Sequence, residues 1–141
     1  MAKRVRQKNT MKAQANELYS DKRKWHVHTP MTAAARIQCL ARYGYLLNRY
    51  GFKDDDMFDR KLKILEPGCG IGSISRLLAF FGDVTSFDYC EVAVKKAERD
   101  GGALFFEADG EYPKDIPGIA GKKYDFILLR EFHPVTREIA D

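Results

Sequence analysis

The fold of this chain is decided by the stretch Ile64-Leu65-Glu66-Pro67-Gly68-Cys69-Gly70-Ile71-Gly72-Ser73-Ile74-Ser75. An apolar run ends in an acidic residue, three glycines follow at alternate positions, and apolar residues then recur at helical spacing. This order predicts a strand, a tight turn and a helix. Glycine accepts positive φ and lets a ligand lie against the backbone, and the turn presents the amides of the helix start to that ligand. Open α/β sheets bind nucleotide-like molecules at such turns.

A second acidic residue lies where such a site needs one. Residues 84–88 are predicted to form the next strand, which ends in Asp88, about 20 residues beyond the first glycine. A carboxylate at this place accepts hydrogen bonds from ribose hydroxyls. We therefore count Asp88, and Tyr89 directly after it, among the candidate ligand-binding residues.

The spacing Glu66-x-Gly68-x-Gly70-x-Gly72, followed by Asp88, resembles the first motif of class I S-adenosylmethionine-dependent methyltransferases. The resemblance implies an α/β, Rossmann-like, doubly wound and mainly parallel sheet, with S-adenosyl-L-methionine as cofactor. It also implies that the loop glycines bracket the methionine part of the cofactor and that Glu66 helps to hold its amino group. An NAD-dependent oxidoreductase is disfavoured, because Ser73 stands where the third glycine of the dinucleotide fingerprint belongs. A structural turn in an unrelated α/β protein is the remaining alternative.

Three more residues are candidate cofactor contacts. Cys69 lies inside the glycine loop, although a role as a small loop filler is favoured. A third strand is predicted over residues 103–108 and leads into Asp109 and Gly110. In the resembling family an acidic residue after this strand commonly contacts the adenine amino group, which implies that role for Asp109. An Asp-Gly turn without a ligand is the alternative.

The candidate catalytic residues follow the predicted fourth strand. Residues 124–129 are nearly all apolar, as in a strand that is buried on both faces, and Glu131 and His133 come next. Members of the family place substrate and catalytic residues here, which implies that these two orient an acceptor or remove its proton. An ion pair between Glu131 and a nearby arginine is the alternative. The Asp/Asn-Pro-Pro-Tyr signature is absent here, which disfavours methylation of a nucleobase.

Size and composition indicate one ordinary globular domain. The chain has 141 residues, of which 45% are hydrophobic and 31% charged. No apolar run approaches the ~20 residues of a membrane span, and the first residues lack the apolar core of a secretory signal. Cys39, Cys69 and Cys90 have no metal-ligand spacing and read as reduced thiols. We therefore predict a cytoplasmic location without a metal site or a membrane partner.

The first 30 residues form a basic arm. They hold eight Lys or Arg against two acids, so this segment has a charge of +6. The rest of the chain has a charge of −2, which gives the net charge of +4. A solvated tail is favoured over a nucleic-acid contact, because no nucleic-acid module accompanies the charge. Residues 25–30, which include Trp25 and two histidines, are the candidate for a lid over the substrate. Packing of Trp25 beside surface histidines is the alternative.

Helices complete the prediction. Thr32 caps a helix over residues 33–50, whose apolar face, which includes Ile37 and Leu47, packs on the sheet. Residues 53–56 are a solvated connection. The helix after the glycine loop runs to about Phe81 and is stopped by Gly82. A further helix covers residues 91–99, and a long loop with one weak helical turn covers residues 110–123.

The predicted function is methyl transfer from S-adenosyl-L-methionine to an unidentified acceptor, with a small molecule favoured. A non-catalytic regulatory or interaction domain that binds the same cofactor is the alternative. The family core has seven strands in the order 3-2-1-4-5-7-6, and residues 31–141 supply only the first four. We therefore expect that the chain is truncated after the fourth strand, or that a partner or a second copy covers the open sheet edge.

Overall fold

The computed structural model describes residues 12–14, 16, 17, 20, 32–109 and 115–129. Residues 12–14, 16, 17 and 20 are helical. The helices and strands that follow are α1 (Ala33–Arg49), α2 (Asp54–Phe58), β1 (Leu62–Pro67), α3 (Ser73–Leu78), β2 (Gly82–Asp88), α4 (Glu91–Asp100), β3 (Leu104–Glu107) and β4 (Phe126–Ile127). Within the described residues the strands form one parallel sheet in the order β3-β2-β1-β4. This confirms the predicted α/β, Rossmann-like class.

The two faces of the sheet carry separate cores, because side chains alternate between the faces of a strand. Ile64 pairs in register with Val84, and both belong to the core under α1 and α3. Leu65 and Phe87 point to the other face, where they pack with Ile116 from the turn segment at residues 115–121. In the sheet, β2 and β3 lie beyond one edge of β1, and β4 lies beyond its other edge. The gap between β1 and β4 is the switch point at which such sheets bind ligands.

Helix α1 forms as predicted, but its buried face differs. The backbone N–H of Ala35 donates to Thr32 Oγ1 over 3.2 Å, which confirms the cap. Tyr43 and Leu47 are the buried residues, whereas Ile37, predicted to pack on the sheet, is 68% exposed. The prediction for Ile37 is wrong because α1 rests on the narrower surface of α3. A helix that packs on one other helix buries a thinner stripe than one that lies flat on a sheet.

Gly82 has a different role from the predicted one. Helix α3 ends at Leu78, and Gly82 is the first residue of β2 rather than the residue that stops the helix. It pairs with Leu62 of β1, and a Cβ at this position would lie 1.9 Å from the Leu62 carbonyl oxygen. Glycine is needed here for the close approach of two strand backbones.

The segment before β1 is also helical, contrary to the prediction of a solvated connection. Helix α2 places three acidic residues in its first turn, where the helix dipole favours negative charge. Asn48 Nδ2 at the end of α1 donates to Asp54 Oδ1 over 3.2 Å. The last turn of α2 then carries Met57 into the core.

Strand β4 is shorter and more exposed than predicted. Its two residues pair with Ile64 and Leu65 of β1. Ile127 is 40% exposed, so the expectation of a strand buried on both faces is wrong for the part of the chain that the structure describes. Within that part, β4 is an edge strand, and nothing packs across its outer side to bury it. None of the described helices has the length and apolar content to span a bilayer.

Candidate functional site

The glycine loop folds over the end of β2. The backbone N–H groups of Gly68 and Cys69 both donate to the Phe87 carbonyl oxygen, over 2.8 and 3.1 Å. Gly68, Gly70 and Gly72 all have positive φ, at 71°, 54° and 80°. The predicted strand, tight turn and helix are therefore present, and the loop lies at the carboxyl end of the parallel strands.

Gly72 is the tightest of the three positions. It caps α3 in the left-handed conformation, and a Cβ here would lie 2.6 Å from Cζ of Phe105 on β3. The side chain of Arg76 approaches from the next turn of α3, where its Nη2 donates to the Ile71 carbonyl oxygen over 3.0 Å. Both the backbone and its neighbours thus require glycine.

Asp88 joins the loop to the start of α4. Its Oδ2 accepts from the Gly70 N–H over 2.9 Å and its Oδ1 accepts from the Cys90 N–H over 2.8 Å. Burial raises the pKa of this carboxyl, and the hydrogen bonds from the amides of Cys90 and Gly70 partly oppose that rise. A carboxylate has about four acceptor positions, so these two bonds leave capacity for hydroxyl groups of a ligand. Tyr89 lies half-buried beside it.

Glu66 is buried on the face of the sheet that α3 covers. The Ser75 hydroxyl donates to Glu66 Oε2, and the Ser86 hydroxyl donates to Ser75 Oγ over 2.9 Å. Both serines are fully buried. The sequence reasoning missed these two residues. The available signal was Ser86 in the middle of a buried strand, since a buried hydroxyl needs a partner.

Cys69 packs away from the open side of the loop. Its side chain lies among Val94, Ala97 and Phe105, between α4 and β3. Burial, followed by the negative charge of Asp88, raises the pKa of this thiol far above its ordinary value. A neutral thiol in an apolar setting agrees better with the filler role than with a reactive one.

A cleft of about 580 Å³ opens at the end of β3. Phe106 on β3 and Ala108 directly after the strand line one side of it. Ile116 and Pro117 line it from the turn segment, and Asp109 lies at its exposed side. Apolar walls with a few polar groups suit a flat heterocycle. The structure thus brings Asp109 to a pocket near the carboxyl ends of the strands, whereas Gly110 lies outside the described residues.

Part of the basic arm reaches the same edge of the sheet. Lys12 Nζ forms an ion pair with Glu107 Oε1 over 2.7 Å, and Cys90 Sγ donates to Asn16 Oδ1 over 3.1 Å. These contacts lie at the end of β3 and the start of α4. They had no local signal in the sequence. The predicted lid at residues 25–30 and the candidate catalytic residues Glu131 and His133 lie outside the described residues.

Comparison with known proteins gives matches only among solved structures. No protein-family model and no curated protein sequence matches the chain. Magnesium protoporphyrin IX methyltransferase (ChlM) from Synechocystis PCC 6803, crystallised with bound SAM, is 18% identical over 82% of this chain, with a TM-score of 0.51. The plantazolicin methyltransferase BpumL, crystallised with a pentazolic desmethylPZN analog and SAH, is 20% identical over 90% of this chain, with the same TM-score. This chain spans 59% and 49% of those two proteins.

The chain shares the fold of these two methyltransferases, and this is the class I, Rossmann-like fold that the resemblance of the glycine loop implies. The strand order β3-β2-β1-β4 agrees with the first four strands of the order expected for that family. The glycine loop and Asp88 occupy the side of this sheet where nucleotide-like ligands bind.

Proposed function

We propose that this chain binds S-adenosyl-L-methionine and is the cofactor-binding part of a methyltransferase with a small-molecule acceptor. The observation that carries the proposal is the hydrogen bond from the Gly70 N–H to Asp88 Oδ2, 2.9 Å long, beside the switch point of the sheet. It brings the glycine loop and the expected ribose-binding acid together before any ligand arrives. Its second support is the likeness in fold to methyltransferases crystallised with SAM or SAH.

The residues present fit this cofactor. The loop of Gly68, Gly70 and Gly72 exposes backbone for the methionine part, and Asp88 has acceptor capacity for the ribose hydroxyls. The cleft beside Asp109 has the apolar walls and the carboxylate that an adenine ring needs. S-Adenosyl-L-methionine carries an activated methyl group on a sulfonium, so the chain's own work is to position the reactants in line and to exclude water.

We further propose that the basic arm covers the cofactor, on the evidence that Lys12 and Asn16 contact Glu107 and Cys90 at the edge of the site. Residues 25–30 remain the proposed substrate lid. His133 remains the proposed base for an acceptor that must lose a proton, with Glu131 as its partner in orienting the acceptor. A small molecule is favoured over a nucleic acid because residues 130–134 lack the nucleobase-methylase signature. A cytoplasmic location belongs to the same proposal, supported by three free cysteines.

A non-catalytic domain that binds the same cofactor is the second candidate. The observation in its favour is the exposed edge of β4, because Ile127 and Leu129 have no cover among the described residues. In this reading a partner protein or a second copy of the chain adds along β4. The partner would then supply the surface on which an acceptor lies.

Calorimetric titration of the full chain with SAH and with NAD tests the proposal. We expect SAH to bind and NAD not to bind, and Asp88→Asn to weaken SAH binding at least about tenfold. Asp83→Asn is the matched control, because Asp83 is an exposed acid on the same strand. Failure to bind SAH, or tighter binding of NAD, would overturn the proposal. Transfer of a tritiated methyl group to a cell extract by the intact gene product then separates the candidates, since binding without transfer by that product supports the second one.

A further inference from the structure

A chain of three buried polar side chains links β1, α3 and β2 directly behind the glycine loop. Glu66 is 3% exposed, and Ser75 and Ser86 are completely buried. Ser75 belongs to the first turn of α3, directly after the loop, and Ser86 pairs in register with Glu66 on the neighbouring strand. The core around them on this face is apolar.

The direction of the hydrogen bonds in this chain follows from chemistry. An ionised carboxylate only accepts hydrogen bonds, so with Glu66 ionised the single hydroxyl proton of Ser75 goes to Glu66. Ser75 then has no proton for Ser86, and Ser86 must donate to Ser75 Oγ over the observed 2.9 Å. Both hydroxyl dipoles therefore point toward the carboxylate. Hydrogen bonds to the charged form of an acid favour that form, and bonds in a chain strengthen one another.

We propose that Ser75 and Ser86 are positioning residues for cofactor binding, which hold Glu66 ionised and fixed at the base of the glycine loop. This inference rests on the proposed function and on the predicted role of Glu66 toward the amino group of the cofactor. The negative charge of Glu66 attracts the ammonium group of the methionine part, and the low polarity around it strengthens that attraction. Ser75 adds a geometric constraint, because it ties the carboxylate to helix α3, which Gly72 caps.

The test compares two ligands that differ only in the amino-acid part. SAH carries the ammonium group, whereas 5′-methylthioadenosine keeps the adenosine and the sulfur and lacks the amino acid. Calorimetry on the full chain would measure both ligands with the wild type, Ser75→Ala and Ser86→Ala. Ser73→Ala is the matched control, because Ser73 lies on the same helix, is partly exposed and is outside the buried chain. Thermal unfolding of each variant reports separately on the fold.

We expect Ser75→Ala to weaken SAH binding about tenfold and to leave 5′-methylthioadenosine binding within about twofold of the wild type. Ser86→Ala should give a smaller loss in the same direction, and it should have no effect on SAH binding in a Glu66→Gln background. The control should bind both ligands like the wild type.

Two results would overturn the inference. If Ser75→Ala weakens the binding of both ligands equally, Ser75 contributes to the general stability of the fold. If it weakens the binding of neither ligand, Ser75 has no role in cofactor binding. If Ser75→Ala does not fold, the binding of SAH and of 5′-methylthioadenosine is compared for Ser86→Ala alone and for Ser86→Ala combined with Glu66→Gln. The inference then requires that Ser86→Ala weakens SAH binding only when Glu66 is present. Failure of the wild type to bind SAH at all is a different result, and it refutes the proposed function itself.

Discussion

Replacing Gly72 with alanine tests how the glycine loop is built. Gly72 has φ of +80°, which a residue with a Cβ rarely adopts. The new methyl group would lie 2.6 and 2.7 Å from two ring carbons of Phe105 and 3.1 Å from Arg76 Nη1. Phe105 of β3 is buried against α4, so its ring has little room to move away.

The magnitude follows from two separate costs. The left-handed conformation costs an alanine about 1–2 kcal/mol, and forcing a methyl group into a filled space costs about 1–3 kcal/mol. Gly72→Ala should therefore lower the free energy of unfolding by about 2–5 kcal/mol. Because domains have stabilities of about 5–15 kcal/mol, this loss is a substantial fraction of the total.

Urea unfolding followed by circular dichroism is the assay, with Gly121→Ala as the matched control. Gly121 has a similar φ of +72°, but no atom lies within 4 Å of the position its Cβ would take. The control therefore carries only the backbone cost of about 1–2 kcal/mol. Equal losses in the two variants would refute the reasoning, because they would show that Phe105 does not confine the loop.

Three further predictions concern the surroundings of the loop. Burial raises the pKa of Asp88 above its ordinary 3.8, so the folded state holds the proton more tightly than the unfolded state does. The stability that this difference contributes is fully present below pH 3.8 and is lost as the pH rises through the raised pKa. Urea unfolding from about pH 3 to about pH 7 would measure the free energy of unfolding of the wild type and of Asp88→Asn. The wild type should lose stability relative to the variant as the pH rises, and a difference between the two that does not change with pH would contradict this. Burial also raises the pKa of the Cys69 thiol. Iodoacetamide should therefore label the half-buried Cys39 before Cys69, as measured by peptide mass mapping. Equal labelling rates for the two cysteines would contradict the burial of Cys69. Lys12→Ala should speed the release of SAH in stopped-flow experiments. It should change stability by less than about 1 kcal/mol, because the side chains of its ion pair with Glu107 are 45% and 39% exposed.

The elements around the loop were predictable because their signals are local. The glycines at positions 68, 70 and 72 force a turn wherever they occur between a strand and a helix, and Asp88 ends an apolar strand at the expected distance. Thr32 caps α1 through a backbone N–H three residues away. Each of these signals lies in the sequence order itself, so a single sequence is enough to find it. The fold class follows from them.

The errors come from neighbours that are distant in the sequence. Ile37 is exposed because α1 packs on α3, and no pattern within α1 specifies that partner. Gly82 starts a strand because its backbone lies against Leu62, which is invisible in the local sequence. The link from Ser86 through Ser75 to Glu66 likewise depends on the register of β1 with β2. Local chemistry therefore predicts the elements of the site, and only the packed sheet shows how they are joined.

The proposed cofactor site combines a glycine loop that is already held in place with an arm that contacts its edge. Asp88 already bridges Gly70 and Cys90, so a ligand meets a loop whose conformation is fixed, and little of its binding energy is needed to order that loop. The described part of the arm touches the edge of the site through the Cys90–Asn16 hydrogen bond and through the pair of Lys12 with Glu107, in which the side chains are 45% and 39% exposed. Exposed pairs of this kind contribute about 0–1 kcal/mol. Under the proposed function, the pair of Lys12 with Glu107 can break at little cost while the loop keeps its shape, and a cofactor that enters and leaves repeatedly needs such an arrangement.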